Sequence, residues 1–228
     1  MVQSTTLPSL VRGEWVPMSY EEFLAWVPDG LHGEWFDGEG IIFAPPTKDH
    51  QDAALFLAEL IATFARVFGL GEVVIAPYEM RLREGARPEP DVLYVAPEHA
   101  DRWQDKRLVG PADFVGEFIS DDSVGHDRRR KFAEYEVAGV REYVMVDRRR
   151  RPGRFDFHRL DDDGRYQSVP PDERGRYHSM VLPGFWLDPN WFWQDSPPNI
   201  ERLMMRIAPA AYRRYLMAIL ENESDGQA

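Results

Sequence analysis

Two carboxylates set inside short apolar runs constrain this chain most. Asp91 opens Val92-Leu93-Tyr94-Val95, and Glu117 sits within Phe114-Val115-Gly116-Glu117-Phe118-Ile119. Both runs are bounded by loop residues and read as short strands. Strand side chains alternate between faces, so Val115, Glu117 and Ile119 share one face while Phe114 and Phe118 take the other. A carboxylate between apolar neighbours is expected to be partly buried, and a buried carboxylate needs a cation, a metal or a raised pKa. Two such groups side by side repel. A divalent ion between them relieves the repulsion, and Mg²⁺ favours hard oxygen ligands.

A helix is expected after Glu117. Asp127, Lys131 and Tyr135 recur every four residues, which puts them on one helical face and can bring an ammonium to the acid pair. Two acids, a lysine and a metal make a site for phosphodiester hydrolysis. The same residues admit plainer readings: Asp91 after Pro90 suits a turn, Glu117 an exposed strand face, and Asp127 with Lys131 a solvated helix pair. The residues alone leave both open.

Pro90-Asp91, Glu117, Asp127, Lys131, Tyr135, Gly139-Val140-Arg141-Glu142-Tyr143 and Val146-Asp147 together resemble the Uma-two family, bacterial putative restriction endonucleases of the PD-(D/E)XK nuclease superfamily. The resemblance reaches back to Tyr20-Glu21-Glu22-Phe23-Leu24, Glu34 and Asp37-Gly38-Glu39, and forward to Ser179-Met180-Val181-Leu182-Pro183-Gly184-Phe185, so it covers most of the chain. It implies a restriction-endonuclease-like fold and Mg²⁺-dependent cleavage of DNA, with Mn²⁺ as the alternative ion. It implies Asp91, Glu117 and the backbone carbonyl of Phe118 as metal ligands, and Glu34 as holder of a second metal or its water. Ile119 stands where the superfamily carries its usual lysine, and the Uma-two pattern places a lysine on the next helix, matched by Lys131. Asp127 and Tyr135 would orient that lysine. Two local departures bear on loop geometry: Ser120-Asp121-Asp122-Ser123 replaces Ser-Pro-Ser, and Gly33 replaces an aromatic residue before Glu34. A catalytically inactive nuclease fold that binds nucleic acid or protein is the alternative.

The net charge of −12 opposes simple electrostatic binding to nucleic acid. The stretch after Glu117 is locally basic, however, with Arg128, Arg129, Arg130, Lys131, Arg141, Arg148, Arg149, Arg150, Arg151 and Arg154. It suits either a phosphate-binding surface, with Arg128, Arg129 and Arg130 as candidates, or a solvated helix and hairpin turn. There is no Cys, which excludes disulfides and thiolate metal sites. The N-terminus lacks the apolar core of a signal peptide and no run is long enough to span a membrane, so a soluble, cytoplasmic protein is expected.

Along the chain, residues 1–17 read as a tail or strap, 18–190 as the nuclease domain, and 191–228 as an aromatic segment and helix packed on the domain or on a dimer partner. Ser19 and Glu22 form a capping box for a first helix. Glu34 precedes or enters a hairpin turning at Asp37-Gly38, where it also suits an exposed strand end. A longer helix follows Pro45-Pro46, with Gly69 as its cap; His50 in its first turn is assigned to the surface and left out of the metal site. Residues 97–112 read as a polar connecting loop. Strands at mixed spacing with two or three helices predict an α/β (α+β mixed) domain with a central mixed sheet flanked by helices, an extra β-rich segment and a C-terminal helix. Trp191–Trp193 and the apolar C-terminal helix suggest a homodimer.

Overall fold

A computed structural model of the chain describes residues 12–28, 30–120, 125–150 and 153–225, with the backbone alone for Asp127 and 222–225. The chain runs β1 (Val16–Pro17), α1 (Tyr20–Trp26), β2 (Gly33–Phe36), β3 (Glu39–Ile42), α2 (Lys48–Phe68), β4 (Glu72–Ile75), β5 (Glu79–Arg81), β6 (Ala86–Arg87) and β7 (Val92–Val95). It continues through β8 (Arg107–Val109), β9 (Phe114–Phe118), a π-helical turn at His126–Lys131 leading into α3 (Phe132–Ala138), then β10 (Glu142–Asp147), β11 (Arg154–Leu160) and β12 (Tyr166–Ser168). A short pair, β13 (Tyr177–His178) and β14 (Trp186–Leu187), precedes α4 (Ile200–Ile207) and α5 (Pro209–Asp225).

The central sheet is mixed, in the order β12-β11-β10-β9-β7-β4, with β9 and β10 parallel and the other neighbours antiparallel. The parallel pair follows from the connection: a crossover carrying α3 returns the chain to run alongside β9. Alternation along β9 then divides the core. Phe114 and Phe118 join Val92, Val144 and the α2 residues Leu57, Leu60, Ile61 and Phe64 on one face, whereas Val115 and Ile119 join Leu93, Tyr143 and Tyr135 of α3 on the other. Val92 pairs with Gly116 and Leu93 with Val115; carrying this register one residue further sets Asp91 across from Glu117. A second sheet, β1-β3-β2-β6, carries the hairpin that turns at Asp37 and Gly38, both at positive φ. Phe23 and Trp26 of the capped helix α1 pack against its Trp35 and Ile42.

Several sequence expectations change. The expected loop at 97–112 contains a 3-10 turn, Pro97–Arg102, and β8, whose fully buried Leu108 ties it to the core beside Met80. Trp191 and Phe192, expected either on the domain or on a dimer partner, are 3% and 2% exposed and pack against Phe56, Trp186 and Phe118. They close the core because α2 leaves an apolar flank that no sheet strand covers, and α4 completes this cover with Leu203 and Met204. The exposed apolar side chains left on the C-terminal helices are Leu216, Met217, Ile219 and Leu220 of α5. Of the expected tail, the described part holds to the hairpin: Gly13 donates to the Ile42 carbonyl at 2.8 Å, and β1 pairs with β3.

Gly116 is the position that lets α2 lie on β9. A Cβ there would meet Leu57 Cδ2 at 2.7 Å, and Leu57 is fully buried with nowhere to go. Gly116→Ala is expected to lower stability by about 1–3 kcal/mol through overpacking, read from the urea midpoint at unchanged slope.

Candidate active site

Glu117 points from β9 to the α3 face and is 2% exposed. Its Oε1 accepts from Lys131 Nζ at 2.9 Å and from the Tyr135 hydroxyl at 2.8 Å. Lys131 ends the π-helical turn and is itself 2% exposed. Its Nζ lies 2.7 Å from Glu34 Oε1. The ammonium is thus held between two buried carboxylates that lie far apart in sequence. Burial and the Glu117 charge push the Tyr135 hydroxyl well above its ordinary pKa, so it stays a donor. The side chain of Asp127 lies outside the described residues, as do residues 121–124 of the loop that departs from the family pattern.

Asp91 stands just before β7. Its Oδ2 accepts the Phe118 backbone N–H at 2.7 Å, which ties it to the residue after Glu117. His50 meets the same place from the first turn of α2: its Nε2 is 2.9 Å from the Phe118 carbonyl oxygen and 3.2 Å from Asp91 Oδ2. Burial raises the Asp91 carboxyl, but the hydrogen bond and charge of His50 outweigh it and leave the pKa below its ordinary value. Asp91, Glu117, Phe118, Lys131, His32, His50, Arg148 and Arg149 all line one cleft of about 570 Å³.

The donor set fits a hard divalent cation. The Asp91 carboxylate and the Phe118 carbonyl oxygen converge, since His50 Nε2 lies within 3.2 Å of both. Glu117 lines the same cleft. Among the described residues no three His, Cys, Asp or Glu side chains are gathered for an ion. Two carboxylates and a carbonyl suit Mg²⁺, which keeps several waters and binds through few protein ligands.

Glu34, expected to hold a second metal or its water, stands behind the cleft. It is fully buried within β2 and absent from the cleft lining. Besides Lys131, its Oε1 accepts the Glu89 backbone N–H at 3.1 Å, and its Oε2 is bound by His126 Nε2. Burial alone would raise its pKa, yet the charges of Lys131 and His126 hold it well below the ordinary range. Protein donors thus engage both of its oxygens.

Arg128, Arg129 and Arg130 are also placed differently from a free basic surface. Arg128 pairs with Asp156 at 2.8 Å and Asp147 at 3.3 Å, and Arg130 lies over the Trp15 and Phe36 rings beside Glu39. Arg129 is exposed. The arginines on the cleft are Arg148 and Arg149, after β10. Sequence reasoning set His50 aside and missed His32 and His126. A helix-start histidine carries no local signal of its target, since its partners lie on other strands.

The Uma2 family, described as putative restriction endonucleases, matches residues 20–190. This chain belongs to that family. The crystal structure of a putative nuclease from Anabaena variabilis ATCC 29413 superposes with a TM-score of 0.64 at 12% identity, covering 78% of this chain and 98% of that one. The shared feature is the fold: a central mixed sheet flanked by helices. No curated protein matches the sequence. Among the described residues no helix is long and apolar enough to cross a membrane. Family membership gives the chain a nuclease-like character.

Two measurements test this electrostatic arrangement. Lys131→Met would leave Glu34 and Glu117 buried without their shared cation, so it is expected to cost about 3–5 kcal/mol of stability, read by chemical denaturation at pH 7. Glu89 is the second test. It is largely buried, with Oε2 3.2 Å from the Gly33 N–H and 3.9 Å from His32 Nε2. Burial pushes its carboxyl up to about 7 from an ordinary 4.5. A folded pKa above the unfolded one favours the protonated fold, and that stability is lost as pH rises through 7. Glu89→Gln removes this loss, so its melting temperature should overtake that of wild type between pH 4.5 and about 7 and keep a constant lead above.

Proposed function

We propose that the chain is a Mg²⁺-dependent endonuclease that hydrolyses DNA phosphodiester bonds, with Mn²⁺ able to replace Mg²⁺. The observation that carries this reading is the Lys131 ammonium, 2.9 Å from Glu117 Oε1 and on the cleft wall, where Ile119 leaves the superfamily's lysine position without a charge. Asp91, Glu117 and the Phe118 carbonyl would hold the ion. A bound divalent ion supplies charge for the phosphoryl oxygens and acidifies water beside it.

The chain's own residues do the rest. The Asp91 carboxylate is fixed by the Phe118 N–H and by His50, so the ligand oxygens are aimed before the ion arrives. Tyr135 and Lys131 both hold Glu117 Oε1, which fixes that carboxylate too. Lys131 acts by stabilising charge on the phosphoryl oxygens, since an ammonium between two carboxylates is favoured in its charged form. Arg148 and Arg149 line the cleft wall, where neighbouring phosphates would compete for them with their carboxylate partners Asp49 and Asp147. The family's description as restriction endonucleases supports DNA as the substrate, acted on in the cytoplasm.

One observation favours the alternative of a binding module: every one of these carboxylates already has a protein partner, so the network is closed without a metal. Cleavage of plasmid and branched DNA decides. Wild type should cut with Mg²⁺ or Mn²⁺ and stop with chelator, Asp91→Asn should be inactive, and Lys131→Met should fall roughly a hundredfold to a thousandfold. DNA bound equally well with and without metal, and never cut, would establish the binding module instead.

Scission of both strands calls for two sites, and homo-oligomers are usually two-fold symmetric. We assign the second copy to the apolar face of α5 around Leu216, Met217 and Leu220. Light scattering at micromolar concentration should give a dimer, and a monomer would remove this part of the reading.

A further inference from the structure

We propose that Glu34 is a positioning residue for Lys131, anchored from behind by His126, and not a ligand of the metal. The inference rests on the nuclease reading above and concerns how an ammonium moved from strand to helix is kept in place. A lysine is a point charge on a flexible four-carbon stem. When it follows the glutamate by two strand residues, the sheet itself aims it. From a helix it needs a second hold.

The geometry supplies one. Nζ of Lys131 lies 2.9 Å from Glu117 Oε1 and 2.7 Å from Glu34 Oε1, so the ammonium bridges the central sheet and the hairpin. The far oxygen of Glu34 is bound by His126 Nε2, and the Glu89 N–H completes the near one. His126 is buried among aromatic rings, 4.9 Å from Trp15 and 5.2 Å from Phe36 between centroids. Trp15 comes from the strap before β1, with the Arg130 guanidinium over its ring. The carboxylate is therefore aimed at the ammonium from one side and held against a packed wall on the other.

The π-helical turn explains how one segment supplies both contacts. His126 and Lys131 are five residues apart. In an α-helix that spacing turns the two side chains about 140° apart, and they could not meet one carboxylate. A π-turn closes i→i+5, which brings both side chains to the same side. Tyr135 follows one α-turn after Lys131 and reaches Glu117 instead. A local widening of the helix is what joins His126, Glu34 and Lys131 into one line.

The test uses the full chain, with Mn²⁺ binding by calorimetry beside steady-state cleavage. Glu34→Gln and His126→Ala should bind Mn²⁺ within about threefold of wild type, while Asp91→Asn loses binding; kcat should fall roughly tenfold to a hundredfold with KM unchanged. His126→Asn, which keeps an N–H donor, should recover part of that loss. In the Lys131→Met background, Glu34→Gln should lower kcat by less than about twofold further, because groups acting as a unit are not additive. A tenfold or greater loss of Mn²⁺ affinity in Glu34→Gln would make Glu34 a ligand and overturn the proposal, as would full additivity with Lys131→Met. If Glu34→Gln is too unstable to assay, the two His126 variants decide by the same Mn²⁺ and kcat criteria. Wild type that neither binds Mn²⁺ nor cleaves removes the nuclease reading and this inference together; an active, metal-binding wild type with an additive cycle removes this inference alone.

Discussion

An ammonium shared by two buried carboxylates holds the centre of this protein. Lys131 meets Glu34 of the hairpin and Glu117 of the central sheet within 2.9 Å. Taking three charges out of water is costly, and only close geometry with further hydrogen bonds offsets that cost. Those further bonds come from Tyr135, His126 and the Glu89 amide. Because the partners sit on the hairpin, on β9 and on the helical crossover, the pair fixes how the smaller sheet docks on the larger one. Removing Lys131 would leave two buried carboxylates without their shared cation.

The same constraint shapes the cleft. With Glu34 held behind the wall by Lys131 and His126, the buried acids presented to a ligand are Asp91 and Glu117. Both are held by backbone or side-chain donors from the strands and helices around them, so neither has to move far to meet a cation. His50 contributes from the start of α2, whose length and packing on Gly116 keep its first turn against Asp91 and Phe118. Nearby, Glu89 and His32 are both shifted upward, which favours the neutral acid and the charged imidazole. Burial raises the acid to about 7, while Glu34 and Glu89 outweigh burial and raise the imidazole to about 9. Shifted ionisable groups gathered at one cleft are a feature of functional sites.

Much of this fold is legible in the sequence because it depends on local rules. The capping box at Ser19 and Glu22, the turn at Asp37-Gly38, the cap at Gly69 and the alternation along Phe114–Ile119 each follow from near neighbours. Whether Trp191 and Phe192 face the core or a partner is not legible, because an aromatic run after a proline has no period to show which side is buried. The covered flank of α2 decides it, and that flank exists only after the sheet has formed.

Within the site, the sequence by itself determined the charged and polar inventory: Asp91 and Glu117 on neighbouring strands, an aliphatic residue at the superfamily's lysine position, and Lys131 with Tyr135 on one helical face. Strand and helix periods suffice for the faces, and the family resemblance marks the aliphatic position. Tertiary structure alone decided the partnerships. That Glu34 faces inward to Lys131, that His126 stands behind it, and that His50 reaches Asp91 depend on contacts across separations of 97, 92 and 41 positions, and on the phase of a π-turn. Hydrogen-bond partners are chosen by position in space to within a few tenths of an ångström, and no period of two or 3.6 residues carries that information.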